Sequence, residues 1–154
     1  MRRRSTLGLI AAVVLLLGVA STPVSAATGV FRLTLTGNQE ASATCAPPMV
    51  CGDPDAVGRM ILIINPVRDT VCFLARWTGI DGTVVAAHIH LAPVGVPGPV
   101  VVPLFSGTFG SSDMTRGCVS ANGLADNILA NPSAYYVNIH STVYPAGAIR
   151  TQLR

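Results

Sequence analysis

The chain has 154 residues, room for one core of ordinary size and no more. All ten basic residues are arginine, against 7 acids, for a formal charge of +3. Three of the arginines, Arg2, Arg3 and Arg4, stand together at the start; without them the balance is near zero, so no basic footprint for nucleic acid is expected, and 50% hydrophobic against 11% charged residues excludes a disordered chain.

In chain order, the first element is an address. Arg2 to Arg4 form a positive n-region, Leu7 to Ala20 an apolar run, and Val24-Ser25-Ala26 a small-residue cleavage pattern. Residues 1–26 therefore read as a secretory signal, by the general or the twin-arginine route. The apolar run is short of the roughly 20 residues a spanning helix needs, and no later stretch is apolar enough to span. The domain proper is expected over 27–154, secreted or held in a periplasm-like envelope space.

Beyond the leader the hydrophobic period is two. Phe31, Leu33 and Leu35 alternate with Arg32, Thr34 and Thr36, a strand with one buried face. Met60 to Ile64 is nearly all apolar and reads as a strand covered on both faces. Val71, Phe73, Ala75 and Trp77 alternate with Cys72, Leu74, Arg76 and Thr78, which puts Trp77 in the core. Val84 to Leu91 follows, with Val85, Ala87, Ile89 and Leu91 expected on one side. Val100 to Leu104 is a brief apolar strand. Ala121 to Ala130 reads as one short helix with Leu124, Ile128 and Leu129 as its apolar stripe, ended by Asn131-Pro132. Tyr135 to His140 and Gly147 to Leu153 close the series. Turn signals lie between: Gly37-Asn38, Gly52-Asp53-Pro54, Asn65-Pro66, Asp81-Gly82 and Pro145-Ala146-Gly147. About seven short strands with one helix predict an all-β antiparallel sandwich or barrel.

Four cysteines in an exported chain favour two disulfides, and three pairings are open. Cys45 and Cys51 flank Pro47-Pro48, a loop; Cys72 and Cys118 each sit in a strand-like setting. The preferred pairs are Cys45–Cys51 and Cys72–Cys118. A thiolate zinc site would show closely spaced cysteine pairs, and none has that form.

The histidines are the chemical cluster. His88 and His90 are two apart on a predicted strand, so both rings share a face with Cα atoms about 7 Å apart. His140 ends another strand and can approach that face. Three imidazoles suit copper or zinc; the plainer alternative is that they are polar groups hydrogen-bonded at one end of the sheet. Other chemistry is thin. There is no G-x-S-x-G elbow, no phosphate loop and no carboxylate pair. Glu40, the single glutamate, and Arg150 on the last strand are candidates for an ion pair. The loop from Pro93 to Pro99 is apolar, either packed or a contact surface.

The run Ala86-Ala87-His88-Ile89-His90 with Gly95 and Gly98-Pro99-Val100-Val101 resembles the central motif of the CHRD domain, named after chordin and also found in exported bacterial proteins. Tyr136-Val137-Asn138-Ile139-His140-Ser141, with Pro145-Ala146-Gly147-Ala148-Ile149-Arg150, resembles its C-terminal motif. Phe31, Leu33, Leu35, Thr36-Gly37 and Gln39-Glu40 resemble its opening. The sequences around Cys72 and Cys118 resemble bacterial members, which supports that pairing. Three departures stand out: Ala41-Ser42-Ala43 where Val-Pro-Pro is common, the Cys45–Cys51 insertion, and Thr151 in place of a glycine.

The resemblance implies an immunoglobulin-like β-barrel with weak similarity to copper/zinc superoxide dismutases, and no general activity. A dismutase copper site of that kind uses four histidines and the zinc site more; this chain has 3 in all, so a complete dual-metal dismutase is not expected. The function expected first is an exported binding or structural module whose partner is an extracellular protein or surface ligand. The alternative is a copper- or zinc-binding protein through His88, His90 and His140, and an enzyme comes last.

Overall fold

Alternating burial makes nearly every strand of the computed structural model, which describes residues 27–42, 45 and 51–154. The predicted signal, 1–26, and most of the Cys45–Cys51 loop lie outside the described residues. Eight strands form one antiparallel sheet: β1 Gly29–Thr36, β2 Val57–Asn65, β3 Thr70–Thr78, β4 Val84–Leu91, β5 Val100–Phe109, β6 Asp113–Ser120, β7 Tyr135–Ser141 and β8 Ile149–Gln152. A short helix, α1 Ala125–Ala130, precedes β7. The order across the sheet is β5-β4-β7-β8-β1-β2-β3-β6. The two end strands, β5 and β6, are consecutive in sequence and joined by the turn at 110–112, so the sheet curls into a nearly closed barrel.

The interior is one hydrophobic cluster that includes Leu33, Leu35, Met60, Leu62, Val71, Trp77, Ile89, Val137 and Ile149. Trp77 stacks on Phe105 at 5.7 Å and meets Phe109 edge-on, while its Nε1–H donates to Gly110 O at 3.0 Å. The indole thus fills the space between β3 and β5 with its one polar atom satisfied.

Four sequence expectations change. Met60 to Ile64 is not covered on both faces: Met60, Leu62 and Ile64 are buried, but Ile63 is 41% exposed. Its outer neighbours are strand residues rather than a second layer, so the run follows ordinary alternation. In β4 a bulge between Val84 and Ala86 resets the phase, so Val84, Ala87 and Ile89 point inward and Leu91 is exposed. The helix starts at Ala125 rather than Ala121, because Asn122 and Gly123 both adopt positive φ, +56° and +78°, and form a turn. Asp69, from the β2–β3 turn, accepts hydrogen bonds there from Gly123 N (2.7 Å) and Ala125 N (3.4 Å). Finally, β6 is a strand although its only aliphatic inward residue is Val119; an edge strand of this kind carries almost no periodic signal.

Both disulfides are present, Cys45–Cys51 and Cys72–Cys118. Cys72 and Cys118 are directly paired residues of β3 and β6, on the outer face of the sheet. The bridge therefore staples an edge strand with a weak apolar face to the barrel. Its sequence separation of 46 corresponds to about 4 kcal/mol in the chain-entropy account. The paired Cys72→Ala, Cys118→Ala variant is expected to lower the thermal midpoint by roughly 10 °C. Circular dichroism melting checks this, and an unchanged midpoint would show that β6 holds its place by pairing alone.

Candidate metal centre

The residues of β4 and β7 that do not face the core form a polar, roofed surface. Ala87 and Ile89 point into the barrel, so His88 and His90 point out of it. On β7, Val137 and Ile139 point in, and Tyr136, Asn138 and His140 point out. The register sets Ala86 beside His140, His88 beside Asn138 and His90 beside Tyr136. On β8, Arg150 pairs with Asn138 and Gln152 with Tyr136. This polar face is nevertheless buried, because loops cover it: every residue of β7 and β8 is buried.

Side chains of this surface hold the roof in place. Arg150 donates to Val96 O and Pro93 O, both at 3.0 Å, and to Gln152 Oε1 at 3.4 Å. Gln152 Nε2 donates to Ala92 O and Ser133 O at 2.8 Å. Gly98 N donates to the Tyr136 hydroxyl at 3.1 Å. The Pro93–Pro99 loop is thus tied over the sheet through its backbone, while all its residues but the half-buried Gly98 keep exposed surface, Val94 and Val96 among them. Tyr136 stacks on His90 at 4.7 Å, and the Arg150 guanidinium lies 3.3 Å from the Tyr136 ring centroid.

Two of the histidine tautomers follow from these contacts. His90 Nδ1 lies 2.9 Å from Gly98 O, and His140 Nδ1 lies 3.1 Å from Pro145 O. A carbonyl only accepts, so each Nδ1 carries the proton and each Nε2 keeps a lone pair. His88 Nδ1 lies 3.1 Å from His140 Nε2 and donates to it. His90 Nε2 is buried and has no partner.

One ligand nitrogen from each of the three rings lies within 4.8 Å of the others. Bonds of about 2.0–2.1 Å to one tetrahedral ion set nitrogens roughly 3.3 Å apart. The His88 Nδ1–His140 Nε2 edge is already at 3.1 Å, and the widest separation would have to close by about 1.5 Å; His88 would ligate through Nδ1 as its other tautomer, with the proton moved to Nε2. The Nδ1–H···O=C bonds of His90 and His140 are the outer-shell contacts that orient metal-ligating imidazoles. Burial lowers the pKa of all three rings, helped at His88 by His90 and at His140 by His88, and His140 falls to about 4. Neutral rings at pH 7 are the metal-binding form.

Glu40 is linked to this cluster through Asn138. Its carboxyl is buried against Gly147, where any Cβ would overlap both carboxylate oxygens. Burial pushes its pKa up to about 8, with Arg150, the Ala41 amide and Asn138 pulling the other way. The expected Glu40–Arg150 pair takes an indirect form. Both line one cavity of about 290 Å³, but the hydrogen bonds of Arg150 go to loop carbonyls and Gln152. Asn138 interacts with both Glu40 and His90. Spacing alone did not single out Asn138, Tyr136 or Gln152, although Tyr136, Asn138 and His140 share a period of two.

A nearly closed β-barrel with a roofed, imidazole-lined outer face is the class of molecule defined so far. The CHRD domain family model matches residues 31–153, and the chain belongs to that family. No curated protein and no solved structure matches it.

Proposed function

We propose that this CHRD domain is an exported metal-binding module that holds one copper(II) or zinc(II) ion on His88, His90 and His140. The observation that carries the reading is His90 Nε2, a buried lone pair without a partner, next to two more imidazoles whose nitrogens converge on the same space. A buried polar atom left unsatisfied costs about 1–3 kcal/mol, and a bound cation would remove that cost. Export rests on the Arg2–Ala26 pattern and on two disulfides, which fit an oxidising compartment.

Calorimetric titration of metal-free protein with copper(II) and with zinc(II) tests the proposal. One ion per chain is expected, with His90→Ala weakening binding by at least about 100-fold while circular dichroism shows a folded barrel. Affinity should be level above pH 6.5 and weaken as pH falls toward 4, since protons compete for the rings only there. A flat trace with both ions would overturn the reading. It would leave the second one, favoured by the direct His88–His140 hydrogen bond: a binding or structural module in which the imidazoles fasten the loops.

A further inference from the structure

The near-zero charge balance conceals a strong segregation. On β1, β2, β3 and β6, the residues that face away from the core form cross-strand rows set by the register. One row is Arg32, Ile61, Leu74 and Arg116; the next is Thr34, Arg59, Arg76 and Met114; a third is Val30, Ile63, Cys72 and Cys118. Four of the seven arginines beyond the leader thus share one face, and these three rows contain no acid. The sequence expectation that the folded surface has no basic footprint is corrected by this arrangement.

Arg59 and Arg76 are directly opposite one another on adjacent strands. Like charges at such positions, with Cβ atoms about 5 Å apart, destabilise a sheet. Among the described residues neither side chain makes a hydrogen bond or ion pair, and the same holds for the side chains of Arg32 and Arg116. All four are exposed. Between them stand exposed aliphatics: Val30, Ile63, Leu74 and Met114, the last at 54%. Arg32, Arg59 and Arg76 border a shallow groove of about 360 Å³ whose apolar lining includes Ile61 and Leu74.

We infer that this face docks onto an anionic phospholipid surface. Lipid phosphates supply the charge that four unpaired guanidinia lack, and the acyl boundary covers the aliphatics between them. Arginine suits that depth, since its stem lies along apolar groups while its head reaches phosphate. A second copy of the chain is disfavoured because it would set arginines against arginines. A soluble polyanion satisfies the charge but leaves the aliphatic residues in water. The face lies on β1, β2, β3 and β6, and the histidines on β4 and β7, so the inference is independent of metal.

Vesicle co-sedimentation of the domain tests it, with phosphatidylcholine alone and with phosphatidylcholine containing 30% phosphatidylglycerol as probes. Binding to the anionic vesicles alone is expected, falling as salt rises. The variant Arg59→Glu, Arg76→Glu, at two exposed positions, should weaken it by about 100-fold or more, since losing two arginines at roughly fivefold each removes about 25-fold and the two new carboxylates add repulsion. Dextran sulfate in solution serves as the comparison polyanion. Failure to sediment with anionic vesicles, equal sedimentation of the charge-reversed variant, or equally tight retention on dextran sulfate would each overturn the inference.

Discussion

Arg150→Ala is expected to destabilise the domain by roughly 3–5 kcal/mol, since it removes several hydrogen bonds from a charged donor, each worth about 1.5–3 kcal/mol. Arg150 is 1% exposed, and its guanidinium is the common partner of Pro93 O, Val96 O and Gln152 Oε1. Alanine leaves Val96 O and Gln152 Oε1 without that donor, leaves Pro93 O with only the Val96 amide at 3.3 Å, and removes the cation over Tyr136. The Pro93–Pro99 loop then loses its strongest tie, and with it the Gly98 carbonyl that fixes the His90 tautomer. Two consequences separate this from a generic core defect. Arg150→Lys should recover only part of the loss, because an ammonium cannot fork to two carbonyls and lie flat on a ring. Metal affinity should drop further than in an equally destabilising core variant such as Leu62→Ala. Urea denaturation with parallel metal titration measures both, and a loss below 1 kcal/mol would show that the loop stands without the arginine.

The second large effect is a dependence of stability on pH that turns over near 6.5 in metal-free protein. Glu40 has its folded pKa raised from 4.5 to about 8, so the folded state holds a proton that the unfolded chain has released. Its stabilising contribution is complete below pH 4.5 and is lost as pH rises through 8. His140 works in the opposite sense. Its folded pKa is lowered to about 4, so its contribution is complete above pH 6.5 and is lost as pH falls toward 4. His88 and His90, also lowered, add to that acid-side loss. Above pH 6.5 the glutamate acts alone, and stability should fall by about 2 kcal/mol between pH 6.5 and 8. Glu40→Gln keeps the shape and removes the titration. It should match the wild type only near pH 4, where the glutamate is protonated in both states, and exceed it by a margin that grows from pH 4.5 to about 8. The wild-type proton has a clear place to go: Glu40 Oε1 and Asn138 Oδ1 both lack a partner, and a protonated carboxyl supplies the donor that such a pair needs. Urea midpoints from pH 5 to 9 in the presence of a chelator check the profile; a variant parallel to the wild type above pH 6.5 would show that Glu40 is ionised when folded.

These two residues also show how far sequence reasoning reaches. Glu40 and Arg150 were recognisable as a charged pair near the ends of the chain, but not as separate parts of one polar layer. The difference lies in what the loops do. Arg150 is on an outward-facing strand position and Glu40 follows the short turn after β1, both places where sequence pattern predicts solvent. Only the fold brings Pro93–Pro99, Gly52 and Gly147 over them, and that cover changes a solvated pair into a neutral acid and a loop clamp. The bulge in β4 was illegible for a related reason: one extra residue in a strand costs the pattern nothing until its partner strand fixes the register.

The sequence by itself determined the class of fold, the cysteine partners it preferred, and the pair of imidazoles on one strand face. These follow from short-range rules: a period of two, turn chemistry, and the spacing of reactive side chains. The tertiary structure alone decided that His140 arrives diagonally on β7 beside that pair, that the outer face of β7 and β8 is buried under loops while β4 stays half-covered, and that four dispersed arginines gather on the far strands. Each of these depends on which strand lies next to which, an outcome of closing one curled sheet around a single core, and no local pattern encodes it.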